Sequence, residues 1–432
     1  MWGRGNRSEA CLRTSAGGAG ATPAQDSTQA KQAVAPRDGS GLVPPSGPGP
    51  SNPAGPRASS RWIWKPATLG ALLSMLYLWL FPTHESHAIF NVLRYETFRS
   101  LMAGLAALAL SLAMGPVLIQ RFRAAHIGQT IRDEVPQHLK KAGTPTMGGL
   151  MIVAACLAAT LLLANLRDAY VWLAMGVMVG YGVIGLTDDL LKLRRGRGAG
   201  LSGPQKLISQ ALVGFIAAVV LFVFLGFDTH LTIPFFKNIH PNLHLWGYVL
   251  FAMLVMVASS NAVNLTDGLD GLAIGPVMTV AFCYLWFTWV AGNLKLAEHF
   301  DVPHVIGAGE LAIFCAALVA ASMGFLWYNA YPASMMMGDV GALALGGALG
   351  IIAVLAKQEI VLVIAGGVFV IEAASTIIQR YYFKLTRRRI FRMAPLHHHF
   401  ELAGWPETVV VTRFWIISII CALLALSTLK LR

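Results

Sequence analysis

The residues of this chain best suited to chemistry are acids, amides and histidines gathered in a few short polar stretches. The densest is NAVNLTDGLDG, Asn261 to Gly271, wedged between apolar runs at 246–258 and 272–291. A carboxylate in lipid is costly, so Asp267 and Asp270 are expected where a membrane helix meets water. Carboxylates and amides at such a surface suit a phosphate-bearing ligand or its cation. A plainer use stays open, in which Asn264 and Thr266 cap a helix starting near Leu269 and the glycines permit the turn.

Asp188 and Asp189 are adjacent at the end of another apolar run, where two carboxylates repel and require a cation, a basic neighbour or a shared proton. Lys192, Arg194, Arg195 and Arg197 are near enough in sequence to neutralise them as a solvated helix end. Asp339 follows Met335 to Met337 and Gly338 and abuts an apolar run, so it reads either as a helix N-cap or as a group held for function. His397, His398 and His399 are consecutive and cannot all ligate one metal from one regular element. They fit donors to phosphate oxygens near a divalent ion, or a surface loop whose charge follows pH.

No HExxH, CxxC or spaced histidine set points to zinc, whereas carboxylates scattered over several loops suit a hard, oxygen-liking ion such as magnesium. KKAGTPTMGG, Lys140 to Gly149, lacks the GxxxxGK[ST] order of a P-loop, yet its Lys and Thr residues could hold a phosphate or a base edge. Glu372 lies inside an apolar run and reads as a structural group pairing within a bundle.

The elements that must position these residues are membrane helices. With 432 residues, 56% hydrophobic and 12% charged, and a mean hydropathy of +0.60, the composition excludes an ordinary soluble domain and gives an all-α polytopic membrane protein. Residues 1–66 form a Gly/Pro/Ala/Arg-rich extension too poor in large apolar groups to fold, and are expected to be disordered. Residues 67–96 read as an interfacial helix and lead-in. Residues 97–432 form the helical domain. Its ten expected spans are 97–120, 148–164, 170–187, 207–226, 246–258, 272–291, 311–328, 340–356, 359–378 and 410–429. Cys156, Cys283, Cys315 and Cys421 fall within apolar runs without metal or disulfide spacing and read as small buried hydrophobes.

The net charge is +12, and part of it sits in the extension. Among the connections, the odd-numbered ones (121–146, 188–206, 259–271, 329–339, 380–409) carry 16 Lys or Arg, and the even-numbered ones carry 4. The positive-inside rule puts the odd connections in the cytoplasm. Every unusual polar motif falls in those five connections. The residues therefore describe a cytoplasm-facing, magnesium-dependent site at the bilayer surface, suited to joining a soluble phosphorylated compound to a lipid. A transporter of phosphorylated solutes is the rival, though it should carry broken helices at mid-membrane and weak internal repeats. No nucleic-acid partner is expected.

TPTMGG (144–149), the Asp188–Asp189 pair, NAVNLTDGLDG, MGDVG (337–341) and APLHHHFE (394–401), in this order and with ten spans, resemble the phospho-N-acetylmuramoyl-pentapeptide-transferase family. The likeness runs from about Met75 to Arg432. The wider superfamily transfers N-acetylhexosamine 1-phosphates to polyprenyl phosphates and shares the aspartate motifs. The histidine run with TPTMGG separates this family from the N-acetylglucosamine enzymes.

The resemblance implies that undecaprenyl phosphate attacks UDP-N-acetylmuramoyl-pentapeptide, giving lipid I and UMP in the first membrane step of peptidoglycan synthesis. It places the protein in the bacterial inner membrane. It implies magnesium at Asp339, Asp188 as the base toward the lipid phosphate with Asp189 supporting it, and the three histidines near the diphosphate. It also implies a nucleoside pocket from Lys141, Thr146, Asn264, Asp267, Asp270 and Asn329. Met336 stands where the family commonly carries a Phe expected to stack on uracil, and a Met there gives a less fixed platform. A homodimer is compatible with the resemblance.

Overall fold

The structure is a computed structural model that describes residues 88–125, 128, 143–195, 200–236 and 239–430. The disordered extension expected at 1–66, most of the interfacial helix expected at 67–96, and Lys141 lie outside the described residues. Of the lead-in, Ala88–Arg94 is a short 3-10 helix. The rest of the described chain is helical apart from connections and two isolated β-bridges.

In chain order the helices are α1 (Glu96–Ala124), α2 (Gly149–Leu163), α3 (Ala169–Arg195), α4 (Gly203–Phe224, with a π turn at its end), α5 (His244–Thr266) and α6 (Ile274–Gly292). They continue as α7 (Leu294–Phe300), α8 (Glu310–Asn329), α9 (Gly338–Leu355), α10 (Val361–Ala365), α11 (Gly367–Thr386), α12 (Leu396–Leu402) and α13 (Glu407–Ser427). Among the described residues, eight helices are long and apolar enough to cross a membrane. The ten expected spans each coincide with helix, but two differ from a simple span. The second, α2, has 15 residues. The ninth is divided between α10 and α11 at Gly366 and Gly367.

Two expected loops are largely helix. Asn261 to Thr266 are the last turns of α5, and the chain leaves the helix at Asp267. Asp188 and Asp189 lie inside α3, which runs on to Arg195. Thr266 hydrogen-bonds back to Ala262 O, and the next helix begins at Ile274, so neither Thr266 nor Asn264 caps a helix near Leu269. A hydroxyl bonded one turn back leaves the helix intact, and polar residues at a helix end can thus remain helical when other contacts hold the turn.

The core centres on α9, whose residues from Val340 to Leu355 are all buried. Small residues let its neighbours approach. A Cβ at Gly346 would meet Ser260 Cα at 2.5 Å, and one at Gly350 would meet Met256 Cα at 2.7 Å, both on α5. On the other flank a Cβ at Gly185 of α3 would meet Asp339 O at 2.2 Å. Close backbone packing of this kind substitutes van der Waals contact for the hydrophobic effect, which is weak between helices in lipid. Its consequence is positional, because the start of α9, the late turns of α3 and the end of α5 are locked together at one end of the bundle.

Candidate active site

That locked end brings Asp188, Asp189 and Asp339 together, with one oxygen from each lying within 4.8 Å of the others. Asp188 and Asp189 are buried. Two ammonium groups enter the cluster. Lys192 Nζ is 2.7 Å from Asp188 Oδ2 and 2.8 Å from Asp339 Oδ2, and Lys206 Nζ is 2.6 Å from Asp339 Oδ2. Asn264 Nδ2 donates to the other Asp339 oxygen at 2.9 Å. Asp188 Oδ1 accepts from Leu201 N at 2.6 Å.

The local fold explains each placement. Lys192 sits one helical turn beyond Asp188 on α3, the spacing at which side chains meet. Lys206 is fixed in the first turn of α4 by a capping box in which Ser202 and Gln205 exchange hydrogen bonds. The cap considered for Asp339 falls instead to Asp189, whose Oδ2 accepts from Val340 N at 3.1 Å. Asp339 is thereby left in the first turn of α9 with its carboxylate on the lysines.

Thr146 arrives on a strand-like segment laid along 335–337. Met336 N donates to Pro145 O, Gly148 N to Met336 O, and Gly149 N to Met337 O, all within 2.9 Å. The crossing is tight at Gly338, whose φ is +75°. A Cβ there would lie 2.7 Å from Asp189 Oδ2 and 3.1 Å from Thr146 Oγ1, so only glycine fits without strain. Met336 is buried, with its backbone engaged in this pairing.

Asp267 follows the end of α5. Loss of water, reinforced by repulsion from Asp339, Asp189 and Asp270, pushes its carboxyl up to about 8. Asp270 and Asn329 both bond to backbone groups of neighbouring segments. Asp270 Oδ2 accepts from Ala333 N, while Asn329 accepts from Gly271 N and donates to Met335 O, so these two tie the 267–273 turn to the 329–337 segment.

The three histidines diverge, as consecutive residues on a helix must. His397 is buried against Gly268, where a Cβ would come within 2.2 Å of its Nε2. That Nε2 has no hydrogen-bond partner among the described residues. Its Nδ1 faces Glu372 Oε2, and burial holds the imidazole below its usual range in spite of that carboxylate. His398 Nδ1 contacts Glu401, and His399 Nδ1 accepts from Arg392 N.

Sequence reasoning gave Lys206 no part, and Lys192 only that of a neutraliser. The i, i+4 spacing of Lys192 from Asp188 and the Ser202–Gln205 cap before Lys206 are the signals that carry them. Three carboxylates with an oxygen each converging at one point fit a hard divalent cation by donor chemistry. Nearby, an apolar groove of about 390 Å³ runs between α5 and the bent α10–α11 pair, lined by residues such as Leu254, Ala258, Ala262, Leu362, Phe369 and Ile377.

Residues 170–357 match the model of glycosyl transferase family 4, and residues 141–153 match phospho-N-acetylmuramoyl-pentapeptide-transferase signature 1. Over 360 residues, the chain is 56% identical to a phospho-N-acetylmuramoyl-pentapeptide-transferase of Desulfatibacillum aliphaticivorans. It is 53% identical to one of Syntrophus aciditrophicus and 52% identical to one of Maridesulfovibrio salexigens, in each case over 83% of this chain and 100% of the relative.

Proposed function

The chain belongs to the phospho-N-acetylmuramoyl-pentapeptide-transferase family, and from that premise we propose that it transfers phospho-N-acetylmuramoyl-pentapeptide from its UDP conjugate to undecaprenyl phosphate, forming lipid I and releasing UMP. The observation that carries the site assignment is the meeting of Asp188, Asp189 and Asp339 with Lys192 and Lys206 at one end of the bundle. A phosphate oxygen of the acceptor attacks the sugar-linked phosphorus, the pyrophosphate P–O bond breaks, and UMP leaves with the electron pair. Charge builds on phosphoryl oxygens throughout, so fixed cations and hydrogen-bond donors are the main requirement.

Asp188 is the base that accepts the acceptor's proton, and Asp189 fixes the start of α9 beside it through Val340 N. Asp339 would hold magnesium, with Asp188 and Asp189 near enough to share it. Magnesium at this point would neutralise the diphosphate oxygens and polarise phosphorus. Lys192 and Lys206, which now bridge the carboxylates, are the natural partners of the same phosphates. In this reading Thr146, Asn264, Asp267, Met336 and Lys141 serve to bind the nucleotide. Asp270 and Asn329 support them through the ties they make between the 267–273 turn and the 329–337 segment. Of the three histidines expected near the diphosphate, His397 is the one whose orphan Nε2 supports that role, while His398 and His399 diverge to Glu401 and to Arg392 N.

The groove along α5 and α10–α11, apolar apart from Ser259 and Glu359, suits a polyprenyl chain, because an isoprenoid tail needs hydrocarbon contact. The protein is a multi-pass membrane protein, and the charge bias of its connections supports a cytoplasmic site in the bacterial inner membrane. The test offers purified protein, undecaprenyl phosphate and magnesium each UDP-sugar in turn, and measures UMP. Release with the N-acetylglucosamine donor but not the muramoyl-pentapeptide donor would overturn the reading.

A further inference from the structure

Beside the histidine helix α12 lies a second cavity that the transfer chemistry leaves without a task. It has a volume of about 640 Å³ and is lined by Thr376, Gln379 and Arg380 of α11 and by Arg389, Arg392 and Met393 of the following segment, among others, with no acid in its lining. We propose that this cavity binds the C-terminal carboxylate of the donor's peptide, through Arg380, Arg389 and Arg392. The inference rests on the transferase reading above and names the part of the donor this site takes.

The cavity is built. Gln379 Oε1 accepts from the backbone N–H of Ile390 and Phe391, and its Nε2 donates to Phe391 O, so one side chain clamps the 389–392 segment against α11. Arg392 Nη1 donates to Leu402 O at 2.6 Å, and Arg392 N donates to His399, so the segment is also tied to the histidine helix. Arg380 and Arg389 make no hydrogen bond or ion pair among the described residues. Arg387 and Arg388, in the same basic run, do not line the cavity, and they suit the phosphates of lipid headgroups instead. The run is thus divided between a membrane-facing part and a part that converges on one concavity.

The chemistry and the reach agree. A peptide joined to muramic acid through its N-terminus leaves its C-terminal carboxylate free, and the arginine fork matches a carboxylate bidentately. Glu372, which faces His397, and Arg380 are eight residues apart on α11, or about 12 Å along the axis. Five extended residues span about 17 Å. A peptide whose sugar-linked diphosphate lies at His397 therefore reaches the arginines with slack.

The experiment measures UMP release by full-length protein with two donors, UDP-N-acetylmuramoyl-pentapeptide and the same compound with a C-terminal carboxamide. Wild type and Arg380→Gln/Arg389→Gln are compared, with inserted protein quantified. The expected result is a rise of about tenfold or more in KM for the carboxylate donor in the variant, from loss of charge-assisted hydrogen bonds. The carboxamide donor should show a raised KM in wild type and little further change in the variant, the signature of a direct pair. Arg389→Lys should fall between, since it keeps the charge and loses the fork. Equal weakening of both donors overturns the proposal. So does a change confined to the KM for undecaprenyl phosphate, or to the dependence on anionic lipid in the vesicles, either of which assigns the arginines to the membrane. Absence of UMP from wild type with either donor defeats the transferase reading itself.

Discussion

Glu372 of α11 accepts the backbone N–H groups of Leu396 and His397 at 2.7 and 3.1 Å, and its Oε2 stands 3.2 Å from His397 Nδ1. The histidine helix begins after Pro395, which offers no capping side chain, so a carboxylate from a neighbouring helix satisfies its first donors. The same carboxylate orients the His397 ring, leaving Nε2 toward Gly268. Glu372→Gln keeps one acceptor and loses the charge. It should lower kcat by roughly thirtyfold, the effect of about 2 kcal/mol, while protein insertion is unchanged. Steady-state UMP release on quantified membranes checks this, and unchanged kcat would remove Glu372 from the site's support.

Glu372 also measures what the sequence could reveal. Its position in an apolar run marked it as paired, but the partner lies 25 residues away on a short helix whose docking no local pattern reports. The aspartate and histidine motifs were legible because polar residues between long apolar runs need a purpose. The loops themselves were misjudged, since hydropathy falls at Asn261 although the backbone stays helical to Thr266. Lys206 escaped because only tertiary packing, of α4 on α3 and α5, brings its ammonium to Asp339. The bend at Gly366 was hidden inside one continuous apolar stretch.

On the other face of the bundle, burial pushes the Asp168 carboxyl up to about 6, with further repulsion from Glu310 and Glu96. A raised carboxyl means that the folded state holds a proton that the unfolded state releases. The associated stability is therefore present below about pH 4 and lost as pH rises through about 6. Asp168→Asn keeps an acceptor for Tyr170 N and should flatten that part of the curve. Thermal unfolding in detergent from pH 4 to 7 is the measurement, and identical slopes for wild type and variant would contradict the assignment.

Orientation gives a third expectation. The bias of basic residues puts 380–409 in the cytoplasm and 227–245 outside. Cysteines introduced at Arg388 and at His240, both exposed, should react with a membrane-impermeant thiol reagent from opposite sides of sealed vesicles. Labelling of both from one side would contradict the odd number of spans, five, expected between them.

Asp188 and Asp339 share Lys192, yet the proposed roles separate them by pH. If Asp339 holds the metal ion against the diphosphate, Asp339→Asn removes a charged oxygen ligand while keeping the shape, and kcat should fall by about 10² to 10³ at every pH. If Asp188 takes the proton of the lipid phosphate, it is needed only while that proton is present. The second ionisation of a phosphate monoester lies near 6, so Asp188→Asn should recover much of its loss as pH rises above that value and the acceptor becomes a dianion. Activity profiles from about pH 6 to 9.5 at saturating substrates, with the inserted amount of each variant quantified, make the comparison. Parallel profiles for the two variants would mean that neither carboxylate is a dedicated base, and that both belong to a single cation site assembled between α3 and α9.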